Sequence, residues 1–154
     1  MSPNDLIERL AQRGQTLATC ESITGGLIAG ALTEVPGASK VFRGALITYA
    51  TDLKVSLGGL DPELIGEHGV VSEAVARAMA EGACWVCGTD WGIGVTGVAG
   101  PGASDGVEPG TAWLAIAGPG EVTTSFLLEE TGERTAIRQA VVARALEELD
   151  QASR

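Results

Sequence analysis

The chain has 154 residues, 45% of them hydrophobic and 19% charged, a balance typical of a compact globular protein and too apolar for a disordered one. At this length a single domain over residues 1–154 is expected. The net charge of −10 excludes a broad basic surface for nucleic acid, and no apolar run reaches the ~20 residues of a membrane span.

The start, Met-Ser-Pro-Asn-Asp, has neither the basic nor the apolar part of a signal peptide, so a cytoplasmic location is expected. Three cysteines, Cys20, Cys84 and Cys87, imply no disulfide framework. The 22 glycines are about twice the usual share, which points to tight turns or to backbone that approaches a ligand closely.

In chain order, Ser2 reads as the N-cap of a first helix, with Pro3 in its first turn, Leu6, Ile7, Leu10 and Ala11 on one face, and Gly14 as its stop. A strand over 16–20, a polar glycine turn over 21–26 and a buried helix over 27–32 follow, ended by Pro36-Gly37. Residues 42–50 read as a second strand. Thr51 reads as the N-cap of a short helix carrying Lys54, and Asp61-Pro62-Glu63 opens another helix that stops near Gly69. Ser72 caps a long amphipathic helix with Val75, Ala76, Met79, Ala80 and Ala83 along one face. Strands over 91–96, 110–117 and 122–128 follow, the last two joined as a hairpin at Gly118-Pro119-Gly120, and a helix over 134–149 closes the chain. This order predicts an α/β protein, a three-layer α/β/α sandwich on a mixed, mostly parallel sheet.

Several motifs have a plain structural explanation. Gly92-Ile93-Gly94-Val95-Thr96-Gly97 fits the dinucleotide pattern, but its first two glycines fall inside a strand and no helix follows, so they read as thin strand. Cys84-Trp85-Val86-Cys87 falls at the end of a helix, where the dipole does not activate a thiol, and reads as two small buried side chains rather than a redox or metal centre. His68, the one histidine, sits at a helix C-terminus and reads as a surface or capping residue.

Three strand ends carry more chemistry. Glu21-Ser22-Ile23-Thr24-Gly25-Gly26 places a hydroxyl and a glycine pair at a helix N-terminus, suited either to a developing anion or to capping by Ser22 or Thr24. Tyr49-Ala50-Thr51-Asp52-Leu53-Lys54 puts one of only two lysines in the chain near a helix start, where burial and local positive potential would lower its pKa; the other reading is a surface lysine. Thr96-Gly97-Val98-Ala99-Gly100-Pro101-Gly102 reads as a ligand-facing loop of exposed amides.

Taken in order, the segments at 21–29, Pro-Gly-Ala-Ser at 36–39, Tyr-x-x-x-x-Lys at 49–54, Val-Ser at 71–72 and Thr-Gly-x-Ala-Gly-Pro at 96–101 resemble the CinA C-terminal domain family, the nicotinamide-mononucleotide deamidases. The similarity spans about Leu6 to Leu149 and is closest to the stand-alone form. Ile23 stands where the family usually has cysteine, Gly44-Ala45 where it has a glycine pair, and Ala103-Ser104-Asp105 where its loop is richer in glycine.

The resemblance implies a serine amidohydrolase. Ser22 and Lys54 would form the catalytic dyad with Tyr49 auxiliary to it, and the amides of Gly25 and Gly26 would be the oxyanion donors. Thr24, Ser39, Thr96, Gly97, Gly100, Arg134 and Arg138 would hold a pyridine nucleotide and its phosphate. No metal or organic cofactor is required. A homo-oligomer, a dimer first, is expected from small domains with apolar helix faces. The alternatives are a non-catalytic nucleotide-binding or regulatory module of the same fold, and a thiol oxidoreductase using Cys84 and Cys87.

Overall fold

Ser2 opens the first helix as its sequence signals: its hydroxyl accepts from the Asp5 amide while the Asp5 carboxylate accepts from the Ser2 amide. The structure, a computed structural model, describes residues 2–154. Its elements are α1 (Pro3–Gln12), β1 (Leu17–Glu21), α2 (Leu27–Thr33), a 3-10 turn (Ala38–Lys40), β2 (Phe42–Ile47), α3 (Thr51–Ser56), α4 (Pro62–His68), α5 (Glu73–Cys87), β3 (Trp91–Gly97), β4 (Thr111–Gly118), β5 (Val122–Glu129) and α6 (Arg134–Ala152).

The sheet order is β2-β1-β3-β4-β5. β1 is parallel to both β2 and β3, while β4 is antiparallel to β3 and β5, so four strands run one way and β4 alone is reversed. Chain order changes direction at β1: the first crossover leads to β2 on one side and the next to β3 on the other. The carboxyl ends of β1 and β3 therefore border the crevice where open α/β sheets place their ligands.

Side chains alternate across the sheet with period two. Leu17, Ile93, Val95, Leu114 and Ile116 face α1, α2 and α6, where Leu6, Leu10, Ile28, Leu32, Ile137, Val141 and Leu149 complete the larger core. Ala18 and Cys20 face α5 and meet Val75, Met79 and Ala83. On β3 this second face is glycine. A Cβ on Gly92 would lie 2.2 Å from the Ala80 carbonyl oxygen, and one on Gly94 would lie 2.3 Å from both the Ala76 oxygen and the Ala80 nitrogen. The Gly-x-Gly spacing thus seats the backbone of α5 directly on the strand, assisted by the small Ala76 and Ala80, with Ala115 alongside them.

Four local expectations are corrected. Thr51 is the first residue of α3 rather than its cap; Ala50 occupies that position and makes no side-chain bond. β2 ends at Ile47, so Tyr49 sits in a connection rather than in a strand. In α2 only Ile28 and Leu32 are buried while Leu27 is exposed, because that short helix packs on one face alone. The last helix also runs past Leu149. Asp150, buried there, takes bonds from Arg9 and Arg154, and Ser153 accepts from Arg9 and Arg13 at its carbonyl, which ties α1 to the end of α6. Burial alone would raise the Asp150 carboxyl, but the two guanidinium groups hold it below its ordinary value. Among the described residues no helix is long and apolar enough to cross a membrane.

Candidate active site at the β1/β3 crevice

The last residue of β1 sets up the site. Glu21 is fully buried, and its carboxylate accepts from Thr19 Oγ1 at 3.0 Å, Thr24 Oγ1 at 2.7 Å and the amides of Gly26, Ile28 and Ala29 at 3.2, 3.0 and 3.0 Å. These donors include the free amides at the start of α2, so the cap of that helix is Glu21 rather than Ser22 or Thr24.

Ser22, one residue on, points to the opposite face. The residue is 8% exposed; its amide donates to Val95 O, and its hydroxyl lies 2.9 Å from Lys54 Nζ. Lys54 reaches this point from α3 with its side chain only 1% exposed, and its amine also donates to Thr48 O at 2.5 Å. Burial pushes its pKa below the ordinary lysine value, opposed in part by the nearby Cys20 thiol. That thiol is itself pushed up to about 11 by burial and lies 3.6 Å from Thr48 Oγ1. No carboxylate pairs with Lys54 among the described residues, so no acidic partner holds the amine in its charged form. The expected positive end of a helix is not the cause of the shift: Lys54 lies in the last turn of α3.

The dyad opens into a cleft of about 270 Å³ whose walls are Ser22, Ile23, Tyr49, Thr51, Lys54, Val70, Val71, Thr96, Gly97, Val98, Ala99, Gly100, Gly102, Ser104, Asp105 and Arg134. Thr96 donates its hydroxyl to Val70 O at 3.0 Å and so ties β3 to the segment before α5. Tyr49 is 60% exposed at the rim, where its hydroxyl accepts from Arg134, which also donates to Gly100 O at 2.7 Å.

Of the residues singled out in the sequence, Ser22, Lys54, Tyr49, Thr96, Gly97, Gly100 and Arg134 meet at this cleft. The others do not line it. The Gly25 amide donates to Ser22 O and the Gly26 amide to Glu21, so both intended oxyanion donors are occupied. The Thr24 hydroxyl is buried on Glu21. Ser39 lies in a separate hollow with Thr33, Val35 and Phe42, because the chain has by then left the strand ends. Arg138 donates to the carbonyls of Ile23 and Thr24 at 3.0 and 3.1 Å, and so supports the nucleophile turn from behind.

The amides of Ile23 and Thr24 have no acceptor among the described residues, and they directly follow Ser22. Sequence reading missed them, as it missed the capping role of Glu21 and the presence of Asp105 on the cleft wall. The only signal for Glu21 was its adjacency to Ser22. Cys84 packs toward Gly92 and Cys87 toward Gly44, both away from this cleft, and no group of three metal-binding side chains is assembled among the described residues.

Fold and cleft define an α/β/α protein with a buried serine–lysine pair at its strand-end crevice. The chain belongs to the CinA C-terminal domain family, which matches residues 2–153. It is 53% identical over 113 residues to a CinA-like protein of Gloeobacter violaceus, covering 73% of this chain and 26% of that protein. It is 46% identical over 139 residues to a CinA-like protein of Acidobacterium capsulatum, covering 90% and 33%. The chain thus spans about a third or less of the length of these relatives. Among solved structures it is similar to the competence/damage inducible protein CihA of Agrobacterium tumefaciens, with a TM-score of 0.90, 35% identity and coverage of 99% and 96%. A CinA superfamily protein of Escherichia coli superposes with a TM-score of 0.93, 28% identity and coverage of 97% and 87%.

Proposed function

We propose that the chain is a serine amidohydrolase that converts nicotinamide mononucleotide to nicotinic acid mononucleotide and ammonia. The observation that carries this reading is the buried Lys54 amine, 2.9 Å from the Ser22 hydroxyl and without an acidic partner among the described residues. A neutral amine that spends one N–H on Thr48 O has its lone pair left for the Ser22 proton.

In the first half-reaction the Ser22 oxygen bonds to the carboxamide carbon while its proton passes to Lys54. The oxyanion takes the amides of Ile23 and Thr24, in place of those of Gly25 and Gly26. As the tetrahedral centre collapses, the C–N bond breaks and Lys54 returns the proton to the departing nitrogen, which leaves as ammonia. Water then attacks the Ser22 ester with Lys54 again as base, and nicotinic acid mononucleotide is released. Arg134 at the rim is the cation placed for the phosphate, exchanging its bonds to Tyr49 and Gly100 for the ligand.

The test is ammonia release from nicotinamide mononucleotide by purified protein and by Ser22→Ala. The variant is expected to keep its fold and nucleotide binding and to lose activity to below about 1%. Activity well above that in the variant overturns the dyad, and a wild type that binds the nucleotide without releasing ammonia makes the chain a binding module. Chelators, and replacement of both Cys84 and Cys87 by serine, are expected to leave the rate within about twofold, because neither thiol reaches the cleft. Inactivation by a chelator that added zinc reverses would refute that.

A further inference from the structure

We propose that Glu21 is a positioning residue for the Ser22 nucleophile, acting by taking over the side-chain capping of α2 so that the serine hydroxyl is left to Lys54 alone. The inference rests on the serine amidohydrolase reading and goes beyond it in assigning a role to a side chain that touches neither substrate nor Lys54.

The turn between β1 and α2 contains two hydroxyls of the kind that ordinarily cap a helix, Ser22 and Thr24. Neither does. Both oxygens of the Glu21 carboxylate are used instead, one accepting from Thr24 Oγ1 and the amides of Gly26 and Ile28, the other from Thr19 Oγ1 and the Ala29 amide. Glu21 is fully buried and forms no ion pair among the described residues, so its charge is stabilised by neutral donors alone. Burying an unpaired carboxylate is the costly way to cap a helix when a hydroxyl stands next to it in the chain. The cost has a return at the site: the donors that would compete with Lys54 for Ser22 Oγ are already satisfied.

The geometry carries this further. Neighbours on a strand point to opposite faces, so Glu21 faces α2 and acts on Ser22 through their shared backbone. From α6, Arg138 holds the carbonyls of Ile23 and Thr24, while the Gly25 amide holds that of Ser22. The turn is gripped at its carbonyls by Arg138 and at its following amides by Glu21. The Ile23 and Thr24 amides, placed for the oxyanion, remain free between the two grips. Without the carboxylate, the amides of Ile28 and Ala29 lose their acceptor, and Ser22 and Thr24 become the nearest replacements in sequence.

The experiment measures the rate at which phenylmethylsulfonyl fluoride sulfonylates Ser22, located by peptide mass spectrometry, in wild type, Glu21→Gln and Thr24→Val, alongside steady-state kinetics and circular dichroism. Glutamine keeps the shape but presents a donor where two donors already point; valine removes one donor and leaves the charge. Folded Glu21→Gln is expected to be labelled about 10²-fold more slowly, with the loss in kcat and KM within about threefold. Thr24→Val is expected to fall about tenfold in both labelling and kcat, and decides the matter should Glu21→Gln fail to fold. A role in folding alone would lower thermal stability while the folded variants kept the wild-type labelling rate and kcat, and that result overturns the inference. A wild type labelled elsewhere than Ser22 overturns the dyad, and this inference with it.

Discussion

Lys54→Arg is expected to lower ammonia release from nicotinamide mononucleotide by about 10³-fold or more, as far as Lys54→Ala does. An arginine keeps the positive charge but does not give up its proton at any pH where the protein is folded, and its planar fork does not fit a pocket shaped around an amine that is 1% exposed. Only the neutral amine accepts the Ser22 proton, so the wild-type rate should rise with pH along one ionisation lying below the ordinary lysine value, in the direction that burial drives Lys54. A stability effect of definite sign accompanies it. Between the lowered folded pKa and the ordinary unfolded one, the unfolded chain binds a proton that the folded chain does not, so stability rises with pH through that window. Lys54→Met should remove that rise, which urea unfolding of both proteins at matched pH values measures. Retention of a substantial fraction of the rate by Lys54→Arg would transfer the base role to another group, with Tyr49 the next to test.

Gly94→Val is expected to abolish the folded state, and Gly94→Ala to cost about 3 kcal/mol or more, a fall in Tm of about 6–12 °C for a chain of this size. The added Cβ would lie 2.3 Å from two backbone atoms of α5, the Ala76 oxygen and the Ala80 nitrogen, and backbone gives way only if the whole helix moves. Such a movement reaches the cleft, because α5 begins just after Val70 and Val71, and Thr96 is bonded to Val70 O. Gly30→Ala is the matched control: it lies within α2 with open space at its Cβ, and alanine there should stabilise by up to about 1 kcal/mol. Differential scanning calorimetry of the two variants separates a close approach of backbones from a general intolerance of side chains. A Tm within about 2 °C of wild type for Gly94→Ala would mean that α5 does not rest on β3 as described.

What the sequence made legible was local. Ser2 and Ser72 cap their helices where hydroxyl, proline and acidic residues said they would, because a cap is decided within four residues. Gly92 and Gly94 read as thin strand because they fall inside an apolar run that no helix follows. The Ser22–Lys54 pair is different: the two residues are 32 positions apart on separate elements, and nothing in their spacing joins them. Family resemblance brought them together before geometry did. The failures share a cause. Gly25, Gly26 and Thr24 have the composition of an anion site, but the Gly25 amide turns back on the Ser22 carbonyl and Glu21 folds over the Gly26 amide and the Thr24 hydroxyl, which no local pattern records. Ser39 was included for its place in a motif, and Arg138 for its charge, although its guanidinium is committed to two carbonyls of the nucleophile turn. Of the two causes expected to lower the lysine pKa, burial holds and the helix start does not, because Lys54 lies in the last turn of α3.

α6 acts as a strut with different business at each end. Arg134 at its first residue borders the cleft, and Arg138, one turn on, supports the nucleophile turn. Nineteen residues bring its far end roughly 28 Å away, where Asp150 and Ser153 are tied to Arg9 and Arg13 and where Pro3 shares a surface hollow with Asp150, Gln151 and Arg154. Both ends of the fold therefore leave from one corner, a helix length from the cleft mouth. A linker, an affinity tag or a neighbouring module attached there lies outside the path of an incoming nucleotide, and a molecule tethered to a solid support through either terminus would present its cleft to the solution.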